Sequence, residues 1–149
     1  MDLYRIARDK YADSLNASGR ANRWNFEKQY VIYASSSRSL ATLELVAHRN
    51  AIMEGVTYKM IVIRIPDDPD IIQTIPLKKL PVQWDLLKNR FVTQKMGSQW
   101  YLNKTKPVCK IPSAIIKEEY NYMINTTHPA FSEIKIKSVS DFKWDQRLL

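Results

Sequence analysis

GRANRWNFEKQYVIYASSSRSLATLELVAHR, residues Gly19 to Arg49, sets an arginine, a tyrosine and a glutamate in a loop, a strand and a helix that follow one another directly. Val31 to Ala34 is a compact β-branched and aromatic run and reads as a buried strand. Ser35, Ser36 and Ser37 offer N-cap oxygens for a helix from about Arg38 to Glu54, with Gly55 as its C-cap candidate. On a 3.6-residue period Leu40, Leu43, Ala47 and Ala51 form an apolar stripe, while Arg38, Thr42 and Arg49 face away from it. Glu44 falls inside that stripe. A carboxylate aimed at a core is costly unless it is paired, protonated or open to a solvated cleft, so this residue demands an explanation.

Outward from this stretch the chain is rich in strands. Leu3 to Ala7 reads as a first strand and Arg8 to Asn22 as an irregular, partly helical connection. Thr57 to Ile65 is the clearest strand, closed by Pro66 and the acidic run after it. Asp70 to Ile75 adds a short strand, Leu77 to Leu80 a loop between prolines, and Trp84 to Leu87 a helical turn. Phe91 to Leu102 reads equally as helix or turn, because Gly97 interrupts it. Val108 to Ile111 is a strand that Pro112 stops, and Ser113 to Tyr122 extends it or opens a new element. Asn125 to Pro129 is a turn, Glu133 to Val139 alternates as a strand with one solvated face, and Asp141 to Leu149 is a terminal strand or tail. Strands with a few helices out of βαβ order predict an α+β fold on a mainly antiparallel or mixed sheet, in one domain spanning residues 1–149. The glycines stand at positions 19, 55 and 97 alone, so neither a GxGxxG turn nor a Walker loop can be written.

Composition narrows the function. The 149 residues are 45% hydrophobic, enough for a proper core. No apolar run approaches a membrane span and the N-terminus lacks the order of a signal peptide, so the expected location is the cytoplasm. Cys109 is the single cysteine and reads as a buried strand residue. His48 and His128 lie in no metal-ligand spacing, so no metal is expected. Ser113, His128 and an aspartate lack the GxSxG elbow of a hydrolase. The net charge of +8 comes from scattered basic residues without a basic arm or helix. An anionic small ligand or an acidic protein partner explains it as well as nucleic acid does, and direct nucleic-acid binding is not expected.

Arg23, Tyr33 and Glu44 remain. A loop arginine suits a bidentate grip on phosphate, a tyrosine offers a stacking face, and a sheltered carboxylate stabilises a developing cation. Those are tools for binding a dinucleotide and breaking a glycosidic bond. The structural alternative has Arg23 paired with Glu44, Tyr33 in the core and Trp24 packed beside it.

These residues, at these spacings, resemble the RES domain family, the toxin half of a class of bacterial toxin–antitoxin systems. The family pattern reads here as Tyr4-Arg5, Arg23-Trp24-Asn25, Tyr33-Ala34-Ser35, and Ala41-Thr42-Leu43-Glu44 with His48. The likeness continues through Thr93-Gln94, Gly97 with Trp100, Pro112-Ser113, Glu119 with Asn121, Asn125 with His128-Pro129, and Arg147-Leu148. The resemblance implies a fold like the ADP-ribosyltransferases of the diphtheria-toxin kind, NAD as substrate, and a cognate antitoxin with an Xre-like helix-turn-helix domain; it leaves a homodimer open. By matching position Arg23 would hold the NAD phosphates or ribose and Tyr33 would stack on the nicotinamide. Glu44 would bind ribose hydroxyls and stabilise the oxocarbenium-like transition state, and Ser113 would complete the pocket. Trp24, Ser35 and Asn125 count with Arg23 and Tyr33 among the residues expected at the dinucleotide. Two departures stand out: Ala21-Asn22 and Lys28 replace glycines of the family pattern, and Asn125-Thr126 replaces its Asn-Pro turn. Hydrolysis or phosphorolysis of NAD, protein ADP-ribosylation, and an inactive antitoxin-binding module are the functions that follow.

Overall fold

The computed structural model of the chain describes residues 1–48 and 52–148. Its strands are β1 (Asp2–Arg8), β2 (Val31–Ser35), β3 (Tyr58–Arg64), β4 (Ile72–Thr74), β5 (Val108–Pro112), β6 (Tyr120–Asn125) and β7 (Lys135–Phe142), and its α-helices are α1 (Arg38–Ala47) and α2 (Arg90–Asn103). Among the described residues the strands form one sheet in the order β4-β5-β6-β2-β1-β3-β7. Every pairing is antiparallel except β4 with β5. The expected α+β class with a mixed sheet is therefore the observed one.

The sheet has a seam. Along β3 and β7 the ladders run over seven pairs, yet β1 and β2 share only the pair Tyr4 and Ser35. Past it the two strands diverge, and the Arg5 guanidinium donates to the Tyr33 carbonyl at 2.8 Å, a side chain doing the work of a ladder bond. Burial pulls this guanidinium below the ordinary arginine range.

Alternation separates two cores. One face carries Leu3, Ile32, Ala34, Ile61, Ile63, Val108 and Ile124, covered by Ala12 and Ile134 with Leu15 and Phe131 packed alongside. The other carries both helices. Over β2, β6 and β5 lie Trp24, Trp84 and Trp100 with Cys109, Ile111 and Met123. Over β1 and β3, α1 sets Ala41 against Ile6, Tyr58 and Met60. Each fully buried side chain of this size contributes about 1.5–3 kcal/mol. Burial also pushes the Cys109 thiol up to about 12, in keeping with the buried strand residue expected.

Three expectations need correction. The helix after the serines is shorter than Arg38 to Glu54: α1 ends at Ala47 and His48 is its C-cap, so Gly55 caps nothing and sits instead in a turn at φ +74°. Arg49 and Ala51 lie outside the described residues. The inward face of α1 is turned from the expected stripe, since Leu40 and Ala41 are buried with Leu45 packed beside them, while Leu43 and Ala47 are exposed. Ser37 does cap the helix, accepting from the Leu40 amide at 3.1 Å. Finally, the helical turn near Trp84 belongs to Leu87–Asn89, and the ambiguous Phe91 to Leu102 stretch is helix α2.

Candidate active site

The Arg23 loop is held by its own asparagine and by α2. Asn25 is buried, and its Nδ2 donates to the carbonyls of Arg20 and Phe26 at 2.9 Å and of Gln29 at 3.3 Å. Its Oδ1 accepts the Tyr33 hydroxyl at 2.6 Å, and that hydroxyl also accepts the Trp24 amide at 3.3 Å. From α2, Thr93 Oγ1 donates to the Arg23 carbonyl at 2.5 Å, and Gln94 Nε2 to the carbonyls of Asn22 and Asn25. Gly97 permits this contact: a Cβ there would lie 1.8 Å from the Trp24 carbonyl oxygen. Trp24 itself is buried and packs on Trp84 with ring centroids 5.9 Å apart.

Lys28, expected from the resemblance to occupy a glycine position, has a φ of +65°. The backbone keeps the left-handed turn at a cost of about 1–2 kcal/mol for a residue with a Cβ. Its amide donates to the Gly19 carbonyl at 2.7 Å, closing the loop.

Arg23 is half-buried, and its Nη1 donates to the Asp85 carbonyl at 2.9 Å. Desolvation pulls its guanidinium below the ordinary range, against the opposing pull of the Glu44 and Asp85 charges; it stays cationic. Asp85 in turn pairs with Lys117 at 3.3 Å. Burial, only partly offset by the Trp24 amide, raises the Tyr33 phenol far above its usual value, so it is a neutral hydrogen-bonding group.

Glu44 points from α1 toward the end of β5 and the start of β6. Its Oε1 accepts two hydrogen bonds, from Ser113 Oγ at 2.7 Å and Asn121 Nδ2 at 2.6 Å. Among the described residues nothing donates to Oε2, and no ion pair joins Glu44 to Arg23. The simple structural salt bridge is thus not what holds this carboxylate. Ser113 is buried and also accepts from the amides of Ile115 and Ile116 at 3.0 and 3.1 Å. Ser35, buried at the seam, donates to Asn121 Oδ1 at 2.7 Å.

The structure therefore brings Glu44, Ser113 and Ser35 into one hydrogen-bonded cluster through Asn121, a residue that sequence reasoning quoted as part of a motif without giving it a role. Its position opposite Ser35 comes from the strand register, which the sequence does not display. Arg23 is near enough for its charge to respond to Glu44, and Tyr33 supports its loop. Asn125 lies apart, four residues further along β6, where Nδ2 donates to the Tyr101 carbonyl and Oδ1 accepts from Thr127. His48 is exposed at the end of α1, and His128 caps the turn after it by accepting from the Ala130 amide. An open hollow of about 410 Å3 lined by Arg8, Asp9, Lys10, Met53, Val56 and Thr57 shares no residue with the cluster.

On this α+β sheet stand a half-buried carboxylate, Glu44, bonded through one oxygen, and an arginine, Arg23, that among the described residues pairs with no carboxylate, a polar set of the kind that can bind an anion and stabilise a cation. The chain belongs to the RES domain family, which matches residues 2–145. Over 99% of its length it is 33% identical to a Sphingobium sp. protein, "Prs ADP-ribosylating toxin", of which 96% is covered. It is similarly 31% identical to a Pseudomonas putida protein and 29% identical to one from Photorhabdus laumondii, both "Toxin Res", each aligned over at least 97% of both chains. Among the described residues no helix is long and apolar enough to cross a membrane.

Proposed function

We propose that this chain is a toxin that consumes NAD by breaking the bond between nicotinamide and ribose. The observation that carries this reading is the Glu44 carboxylate, fixed through Oε1 while among the described residues nothing donates to Oε2. Nicotinamide is cationic within NAD and departs neutral, so the bond breaks without a strong general acid, and the demand on the protein is to stabilise positive charge growing on the ribose. Glu44 Oε2 supplies the opposing negative charge and accepts a hydrogen bond from a ribose hydroxyl. Arg23 binds the pyrophosphate, Tyr33 lies against the nicotinamide, and Ser113 holds Glu44. Trp24 and Ser35 act behind these residues, and no metal takes part. The full length, residues 1–149, works as one RES domain with the ADP-ribosyltransferase type of architecture.

The relatives' names support a toxin. The family resemblance adds a cognate antitoxin that carries a helix-turn-helix domain, and that both act in the cytoplasm, with monomer and homodimer both open. The purified, antitoxin-free chain, incubated with NAD, is expected to release nicotinamide in a ratio of one to each NAD lost. Running the reaction with and without phosphate identifies the acceptor as phosphate or water. Intact NAD after prolonged incubation, in a preparation shown to be folded, would sink the reading.

Protein ADP-ribosylation is the second reading, favoured by the name of the Sphingobium relative and by the segment beside Asp85. There Val82, Leu87 and Phe91 are 91%, 71% and 62% exposed, a surface that suits contact with a protein. Labelled NAD separates the two, because this reading places label on a protein.

A further inference from the structure

Resting on the proposed role of Glu44, we infer that Asn121 is the positioning residue that aims its free oxygen, and that Ser35 sets the orientation of Asn121. The proton inventory carries the argument. Ser113 Oγ accepts from two backbone amides, Ile115 and Ile116, so both of its lone pairs are filled and its single proton is committed to Glu44 Oε1. Oε1 is thereby an acceptor. An amide that meets the same oxygen at 2.6 Å has to present Nδ2, since Oδ1 there would set two acceptors against each other. With Nδ2 on Glu44, Oδ1 faces Ser35, whose hydroxyl donates to it at 2.7 Å.

Ser35 thus donates to Asn121 and Asn121 to Glu44, while Ser113 donates to the same carboxylate oxygen, so the two branches converge on Oε1. Two donors on Oε1 restrict the rotation of the carboxylate, and among the described residues Oε2 is left without a donor. The anchor is well chosen for rigidity. Ser35 is the residue through which β2 pairs with both β1 and β6, opposite Tyr4 and Asn121, so the relay starts where the two halves of the sheet are joined. Neither Asn121 nor Ser35 touches substrate in this account; both act through Glu44.

The test compares kcat and KM for NAD in wild type, Asn121→Ala, Asn121→Asp and Ser35→Ala, each checked for folding by its thermal midpoint. Losing a charge-assisted donor predicts that Asn121→Ala lowers kcat about 30-fold with KM within about threefold. Asn121→Asp preserves size but presents oxygen to Oε1, so it falls lower still, by roughly 300-fold. Ser35→Ala costs only about threefold, and the double variant with Asn121→Ala is no worse than Asn121→Ala alone, because the two act in one chain. A packing role predicts the reverse order, with the isosteric Asn121→Asp above Asn121→Ala, and that order overturns the inference. So does a loss confined to KM. A crystal structure of Asn121→Ala provides a readout independent of turnover: the carboxylate of Glu44 should rotate about its remaining bond to Ser113, and an unmoved carboxylate contradicts the role. Wild type without NAD turnover would instead count against the proposed function, which the same series reads separately.

Discussion

Arg23 and Glu44 are held in opposite ways. The Arg23 loop is fixed through its backbone: Thr93 and Gln94 of α2 bond its carbonyls, Asn25 bonds three more from within, and Gly97 lets the helix come into contact. Glu44 sits on a short helix and is fixed at its tip by the side chains of Ser113 and Asn121. A backbone-fixed loop is part of the fold, so damage to its supports is damage to stability. A tip-fixed side chain is separable from the fold, so damage to its supports leaves a folded protein with an altered site.

The sharpest way to break this contrast is at Gly97. Gly97→Ala forces a Cβ into the Trp24 carbonyl, and pushing α2 off the loop should cost about 3 kcal/mol, measured by urea unfolding, together with nearly all activity. Asn25→Ala follows, with an expected loss of about 2 kcal/mol and a proportionate fall in activity, because buried carbonyls and the Tyr33 hydroxyl lose their partner. A stable, inactive Asn25→Ala protein would show that the loop needs less internal support than its bonds imply. Lys28→Gly runs the other way. It removes a left-handed conformation from a residue with a Cβ, so the thermal midpoint should rise by about 3 °C, equivalent to about 1 kcal/mol, without loss of turnover.

The smallest effect is in acid. Lys137, the N-terminal ammonium and Lys59 hold the carboxyls of Asp2, Asp67 and Asp141 below their ordinary 3.8. A depressed folded-state value means that these pairs add stability fully above 3.8 and lose it as pH falls through the lower folded values. Asp67 and Asp141 are exposed and Asp2 is partly exposed, so solvent screens these pairs and a modest decline in thermal midpoint below pH 4 is expected, which Asp67→Asn should flatten slightly. A midpoint rising in acid would contradict the sign.

The same contrast explains what could be read from sequence. Strands β2, β3 and β5 announce themselves by β-branched runs, and the capping serine announces α1. Helix α2 does not, because its buried face includes Thr93, Gln94, Gly97 and Ser98, of which Thr93 and Gln94 donate to loop carbonyls, Gly97 admits one, and Ser98 accepts from the Gln29 side chain. Periodicity of hydrophobic residues is blind to such a face. The inward face of α1 misled as well: Ala41 is buried against Ile6, Tyr58 and Met60 with Leu45 beside it, while Leu43 is exposed. Glu44 was legible as an anomaly, whereas Asn121 was not, since an asparagine on a strand becomes meaningful only when the register sets it opposite Ser35.

The central claim is that Glu44 serves chemistry while the fold stands without its charge. Nicotinamide release and thermal midpoint measured on the same preparation of Glu44→Gln test it directly. The account predicts turnover reduced at least about 100-fold with a midpoint within about 3 °C of wild type. A variant that unfolds early, or one that keeps cleaving NAD at the wild-type rate, contradicts it.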